Sequence, residues 1–281
     1  MDIRYSVNQR DFRRYTTEET RKEFLITGLY KPDEVVAVYS HVDRMVTLGC
    51  MPVSKAVPIE QGMDVWASFG TKCFLERREL GVFNIGAGAG AITADGKRFE
   101  LGSKDCLYIT RGTEKILFES ADKSNPAKFY MVSAPAHKVC ETKLITLAEA
   151  AKQTPGAAET ANKRVINQFI HPAVLETCQL LMGLTCLEPC SVWNTMPSHT
   201  HERRMEIYTY FDIPESNVVL HMMGEPGETR HIVMQNEEAV ISPSWSIHSG
   251  CGTSNYSFIW AMGGENQEFT DMDTIATTNL K

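Results

Sequence analysis

Residues 194–210, Asn-Thr-Met-Pro-Ser-His-Thr-His-Glu-Arg-Arg-Met-Glu-Ile-Tyr-Thr-Tyr, constrain the fold of this chain more than any other stretch. Within them His199, His201 and Glu206 are spaced His-x-His-x4-Glu. Alternate side chains of an extended strand share a face, so His199, His201 and Arg203 point the same way. Glu206 has the opposite parity and would face away if the strand ran on unbroken. A tight turn or bulge within residues 202–205 restarts the alternation, aiming Glu206, Tyr208 and Tyr210 at one face. Further on, Pro243-Ser-Trp-Ser-Ile-His248 places a third imidazole after a proline-centred turn. A single histidine is commonly a hydrogen-bonded surface or core residue. Three imidazoles and a carboxylate in this pattern make a four-ligand site for a divalent transition metal, and Mn, Fe, Co, Ni or Zn fits such donors.

The rest of the chain has to supply neighbouring strands. From Val35 onward short β-prone runs follow one another: Val35-Val-Ala-Val-Tyr-Ser, Met45-Val-Thr-Leu, Lys72-Cys-Phe-Leu, Gly81-Val-Phe-Asn-Ile, Ala91-Ile-Thr-Ala, Cys106-Leu-Tyr-Ile-Thr, Lys115-Ile-Leu-Phe-Glu and Lys128-Phe-Tyr-Met-Val-Ser. Turn signals such as Asp95-Gly96, Arg111-Gly112 and Ser124-Asn-Pro separate them. Similar runs resume after an Ala/Thr-rich tract containing Pro155-Gly156. Many short strands at this spacing predict a mainly β protein of antiparallel sandwich or barrel type, with short helices. At 281 residues the chain suits two domains of about 100–150 residues each. The expected layout is a polar N-terminal arm over residues 1–34, carrying a short helix capped by Thr16 or Thr17, and a β domain without metal over 35–144. A linker over 145–165 and a β domain with the metal site over 166–281 complete it.

The two halves echo each other. Glu76-Arg77-Arg78 answers Glu202-Arg203-Arg204 at an offset of 126 residues, and residues 105–115 lie over 238–248 at an offset of 133. On that alignment the first half keeps the scaffold and lacks the metal donors. Arg77 and Arg78 therefore read as structural.

Net charge is −7, with 43% apolar and 22% charged residues and no basic run, which argues against nucleic-acid binding. No window approaches the ~20 apolar residues of a membrane helix, and the first residues lack a signal-peptide core. The eight cysteines are scattered without a Cys-x-x-Cys pair, the usage of reduced thiols in a cytoplasmic protein.

His-x-His-x4-Glu followed by Pro-x4-His resembles the two sequence motifs of the cupin superfamily, small antiparallel β-barrels with a three-His, one-Glu metal site. Trp245 stands where that pattern usually has glycine. Longer stretches narrow the resemblance: Phe74-Leu-Glu-Arg-Arg-Glu-Leu-Gly, Asn194-Thr-Met-Pro, His221-Met-Met-Gly, Glu228-Thr-Arg-His-Ile-Val-Met, Ile241-Ser-Pro-Ser-Trp-Ser-Ile-His-Ser-Gly and Gly264-Glu-Asn-Gln. Essentially end to end, the chain is similar to the 5-keto-4-deoxyuronate isomerase family of bacterial pectin breakdown, also called 4-deoxy-L-threo-5-hexosulose-uronate ketol-isomerases. The resemblance implies tandem cupin-like domains and one Zn2+ per subunit held by His199, His201, Glu206 and His248. It also implies a small uronate substrate and a homo-oligomer, a hexamer. The implied reaction converts 5-dehydro-4-deoxy-D-glucuronate to 3-deoxy-D-glycero-2,5-hexodiulosonate.

Moving a carbonyl from C1 to C2 requires polarisation of a carbonyl and its neighbouring hydroxyl, plus a path for a proton or hydride. His221, His231, Tyr208 and Tyr210 are the candidate proton-transfer residues. The substrate carboxylate calls for a two-pronged donor, and Arg203, Arg204 and Arg230 are candidates by their nearness in sequence to the metal donors. Each also reads as an ordinary turn or surface arginine. Two other functions fit the same donor set: a cupin dioxygenase that holds iron, and a non-catalytic sugar-acid-binding cupin.

Overall fold

A computed structural model describes residues 1–281 and shows a mainly β chain whose helices are short: Gln9–Phe12, Thr17–Phe24 and Val65–Phe69. The chain divides into two compact units. The first comprises Met1–Arg4, Gly28–Ala151 and Phe169–Leu181, and the second Tyr5–Thr27, Lys152–Gln168 and Met182–Lys281. No helix is long and apolar enough to cross a membrane, and all eight cysteines are free thiols.

The first unit has a seven-stranded sheet in the order Asp2–Arg4, Val35–Ser40, Val46–Cys50, Phe129–Pro135, Arg78–Asn84, Cys106–Ile109, Lys143–Ile145. Its four-stranded sheet runs Val57–Pro58, Ile116–Ser120, Gly90–Ala94, Lys97–Leu101. The second seven-stranded sheet, most of whose residues belong to the second unit, has the order Ala151–Gln153, Arg164–Ile170, Leu181–Leu187, Ser257–Gly264, Arg204–Phe211, Glu238–Ser242, Leu25–Ile26. The four-stranded order there is Trp193–Asn194, Ser249–Gly252, Val219–Glu225, Glu228–Met234. Read strand by strand in chain order, the two units place their inner strands identically, and Arg78 and Arg204 each open the corresponding strand. The echo seen in the sequence is thus a repeat of topology. The sheets remain open rather than closing into barrels.

Local chemistry explains many of the boundaries. Asp95 and Gly96 both have positive φ, at 45° and 84°, and turn the chain between Gly90–Ala94 and Lys97–Leu101 as a tight hairpin requires. Thr16 caps the helix Thr17–Phe24 through a capping box with Glu19. Residues 72–75 form a turn rather than the strand their composition predicts. The Glu60 carboxylate takes the Phe74 N–H at 2.7 Å, and Glu76 N–H bonds back to the Cys73 carbonyl at 3.2 Å. Segment 178–180 is tied to the buried Glu79 carboxylate, which accepts the N–H groups of Cys178, Gln179 and Leu180 at 2.9, 2.8 and 2.8 Å. The core of the first unit is apolar, with Val46, Leu48, Val82, Ile92, Leu107, Phe118 and Phe129 buried. The matching interior of the second unit is where polar groups collect.

In that second unit the N-terminal segment docks through Phe12, which packs on Trp245 with ring centroids 5.2 Å apart and on Phe24 at 5.4 Å. Leu25–Ile26 then pairs with Glu238–Ser242 and covers the edge of the large sheet. The turn before His248 is closed by Ser246 N–H on the Pro243 carbonyl at 2.9 Å. Trp245 sits in it without positive φ, so glycine is not required there.

Candidate metal centre

The parity break falls at Glu202–Arg203. The strand His199–Thr200 ends, Arg204 N–H bonds to the His201 carbonyl at 3.1 Å, and the strand Arg204–Phe211 begins. Glu206 is thereby returned to the face of His199 and His201. His248 enters from the turn that precedes Ser249–Gly252. One donor atom from each of His199, His201, Glu206 and His248 lies within 4.8 Å of all the others. His199 Nε2 is 3.0 Å from both His201 Nε2 and His248 Nε2. Glu206 Oε1 lies 2.8 Å from His201 Nε2 and 3.5 Å from His248 Nε2.

These spacings fit a small cation. Four ligands ~2.0–2.1 Å from a tetrahedral ion are on the order of 3.3 Å from each other. His201 Nδ1 donates to the Asp271 carbonyl at 2.7 Å, and His248 Nδ1 lies 3.4 Å from the Ser246 carbonyl. A proton on each Nδ1 leaves Nε2 a bare lone pair directed at the common centre. Bare lone pairs 3 Å apart repel unless a cation lies among them.

Electrostatics keep His199, His248 and Glu206 in the ligating form. Burial, reinforced by His248, pushes the His199 imidazole down to about 2, and burial lowers His248 against the pull of Glu206. Burial by itself would raise the Glu206 carboxyl; the His248 and His201 imidazoles outweigh it and hold it at about 2. Neutral imidazoles and an ionised carboxylate are what a divalent ion binds.

The centre opens into a cavity of about 280 Å³. Its wall is built on strand alternation: Arg164 and Ile166 from one strand, Glu206 and Tyr208 from another, and Phe258, Trp260 and Met262 from the strand between. Thr185, Thr195 and the C-terminal residues Phe269, Met272 and Thr274 complete it. The Trp260 indole reaches this wall only because Gly183 has no side chain; a Cβ there would stand 2.0 Å from Trp260 Cζ2. Tyr208 holds its hydroxyl 3.0 Å from Thr195 Oγ1, and burial, with Glu206 nearby, raises the phenol far above its ordinary value. It keeps its proton at neutral pH and can donate a hydrogen bond.

The remaining sequence candidates separate by position. Tyr210 and His221 form a buried layer behind the centre, Tyr210 Oη 2.8 Å from His221 Nδ1, with Ser242 Oγ 3.3 Å from His221 Nε2. Burial lowers His221 to about 3, so it is neutral. Arg204 is buried beneath His201, with Nη2 3.1 Å from the Asp271 carbonyl. Arg203 is exposed and does not line the cavity; it pairs with Asp271. Arg230 and His231 lie on Glu228–Met234 and do not line the cavity; Arg230 bonds to the Arg13 carbonyl and sits 5.7 Å over the Phe12 ring. The lining arginine is Arg164, which sequence reasoning missed. Nothing near it in sequence marks it, and it opens a strand at the end of the Ala/Thr-rich tract. It is half-buried and has no carboxylate paired with it; Nη1 donates to the Asn162 carbonyl at 2.8 Å, and burial lowers its pKa.

The sequence pattern of the KduI/IolB family matches residues 37–277. A protein of Yersinia pseudotuberculosis serotype O:1b (strain IP 31758), named 4-deoxy-L-threo-5-hexosulose-uronate ketol-isomerase, is 54% identical over all of both chains. A Yersinia pestis (strain Pestoides F) protein of the same name is 53% identical over all of both chains. Among solved structures, an IolB-like protein from Salmonella typhimurium LT2 superposes with a TM-score of 0.72 at 13% identity, covering 90% of this chain and 96% of that one. A Bacillus subtilis oxalate decarboxylase variant superposes with a TM-score of 0.54 at 12% identity, covering 83% and 73%. At these identities the two structures speak to the cupin-like fold alone.

Proposed function

This chain belongs to the KduI/IolB family and is a ketol-isomerase, and we propose that it acts as a zinc enzyme on 4-deoxy-L-threo-5-hexosulose uronate. The product is 3-deoxy-D-glycero-2,5-hexodiulosonate. The observation that carries the reading is the convergence of His199, His201, Glu206 and His248 into one cluster, three of whose members line a cavity together with Arg164 and Tyr208. His199, His201, Glu206 and His248 would hold the zinc. A zinc ion there supplies Lewis acidity toward the substrate's carbonyl and the adjacent hydroxyl, stabilising enediolate-like charge.

The chain's own groups do the rest. Arg164 offers its guanidinium to the uronate carboxylate, a bidentate partner for the charge that the half-buried arginine lacks. Tyr208 keeps its proton and can donate a hydrogen bond to a substrate oxygen that gains charge as the carbonyl shifts. Phe258, Trp260 and Met262 exclude water along the carbon chain, which strengthens both polar contacts. Arg204 supports the centre from below through the Asp271 carbonyl. Tyr210 and His221 hold the strand carrying Glu206 and Tyr208 from behind. The same reading carries a uronate derived from pectin, a cytoplasmic place of action and a homohexamer.

The deciding experiment incubates the purified, zinc-loaded chain with 4-deoxy-L-threo-5-hexosulose uronate and follows the C1 aldehyde signal by NMR. Loss of the aldehyde with appearance of the C2 ketone is expected, and the His199→Ala chain should lose at least 100-fold in rate together with its zinc. Unchanged uronate sinks the isomerase reading. Oxygen uptake would favour a dioxygenase, and tight binding without turnover a storage protein.

A further inference from the structure

We propose that the Arg203–Asp271 ion pair is a positioning device for the metal centre, holding in place the Asp271 carbonyl that orients His201. The pair is two-pronged: Arg203 Nε donates to Asp271 Oδ2 at 2.9 Å and Nη2 to Oδ1 at 2.5 Å. Asn266 Nδ2 donates to the same Oδ2 at 2.7 Å, and Arg203 Nη2 also lies 3.4 Å from Asp273 Oδ2. Fixing the side chain in this way fixes the backbone of residue 271. Its carbonyl accepts from His201 Nδ1 at 2.7 Å and from Arg204 Nη2 at 3.1 Å.

Two further observations place this clasp in the service of the site. Beyond it, Asp273–Thr274 pairs antiparallel with His199–Thr200, with His199 opposite Thr274. Phe269 and Met272, on either side of Asp271, line the cavity. The segment therefore joins two donor histidines to the pocket wall. A ring nitrogen that donates to a fixed carbonyl has both its tautomer and its tilt set, and losing such a partner costs metal affinity 10–100-fold in known centres. Arg203 is 43% exposed, so as a surface ion pair it would add little to stability. Its effect is positional.

The inference rests on the metal reading of the four-residue cluster and is tested by metal binding rather than turnover. The probe is Co2+ added to the metal-stripped full-length chain, with its dissociation constant measured against a chromophoric chelator and its visible d–d spectrum recorded. Arg203→Met and Asp271→Asn should each weaken Co2+ binding about tenfold or more and shift the spectrum. The double variant should be no weaker than either single one, because both remove the same interaction. Arg203→Lys should recover part of the loss. Arg77→Met, the corresponding change in the first unit, should alter neither readout. Should Arg203→Met fail to fold, Asp271→Asn carries the test by itself, since it conserves shape. Variants that bind Co2+ within about twofold of the parent with an unchanged spectrum, or that shift no more than Arg77→Met, overturn the positioning role alone. A parent chain that takes up no Co2+ overturns the metal reading beneath it.

Discussion

The role proposed for Arg164 follows from its surroundings. It is the first residue of its strand, half-buried in a wall of Ile166, Trp260 and Tyr208, with only a backbone carbonyl as partner. Burial lowers its pKa, so an incoming carboxylate would meet a charge already partly stripped of water. Losing one charged hydrogen-bonding partner is worth ~1.5–3 kcal/mol. Arg164→Met should therefore lower kcat/KM for the uronate about 10- to 100-fold while zinc content stays at the parent level, read by steady-state kinetics and metal analysis on the same samples. A variant with parental kcat/KM would remove Arg164 from the substrate site. The arginines nearest the four-residue cluster in sequence are already engaged elsewhere. Arg203 spends its guanidinium on Asp271, and Arg230 spends its own on the N-terminal segment. Parity along Glu228–Met234 was legible, but not which parity faces inward. The register with Val219–Glu225, His221 opposite Ile232 and Met222 opposite His231, makes that choice and leaves His231 exposed.

At the scale of elements, both units begin one inner strand with a buried arginine, and the two arginines do different work. Arg78 donates to the Ser133 hydroxyl at 3.0 Å and carbonyl at 2.9 Å, and lies over the rings of Phe69 and Phe74. Arg204 instead supports His201. The Glu-Arg-Arg echo was visible in the sequence, whereas the helix Val65–Phe69, whose Phe69 packs under Arg78, gave no comparable signal. The loops of the first unit carry a second testable element. Asp33, at φ 58°, joins two loops by accepting Val53 N–H at 2.7 Å, Ser54 N–H at 2.8 Å and the Ser54 hydroxyl at 2.5 Å. The Ser54 hydroxyl first, and then these N–H groups, hold its carboxyl at about 2. A carboxyl lowered on folding stabilises above its unfolded value, ~3.9, and that contribution is lost as pH falls through about 2. Asp33→Asn tolerates the positive φ but loses the charge. It should lower the urea midpoint at pH 6, and the gap from the parent should narrow between pH 4 and 2. A gap that is constant with pH would disprove the linkage.

For the whole molecule, the chain's path matters more than its length. Residues 1–4 add a strand to the first unit, 5–27 pack within the second, and the chain then returns to the first at Gly28. Phe12 and Phe24 are buried in that second unit, and Leu25–Ile26 covers a sheet edge that would otherwise be open. A buried phenylalanine truncated to alanine costs ~3–5 kcal/mol. Phe12→Ala should lower unfolding stability by about that amount, measured by urea denaturation with the metal-loaded chain. A loss under about 1 kcal/mol would mean that the segment lies loosely on the surface. Local sequence was enough for the β class, the turns at Asp95-Gly96 and Pro243, the four residues whose side chains converge into a cluster able to hold a metal ion, and the break between His201 and Glu206. Each of these is a matter of local spacing, because strand parity, glycine and proline act within a few residues. Tertiary structure alone decided that Arg164 faces the cavity, that Asp271 orients His201, that Trp245 receives Phe12, and that the first 27 residues divide between two units. Those contacts join residues far apart in the chain, where side-chain packing and strand register, not local periodicity, select the partner.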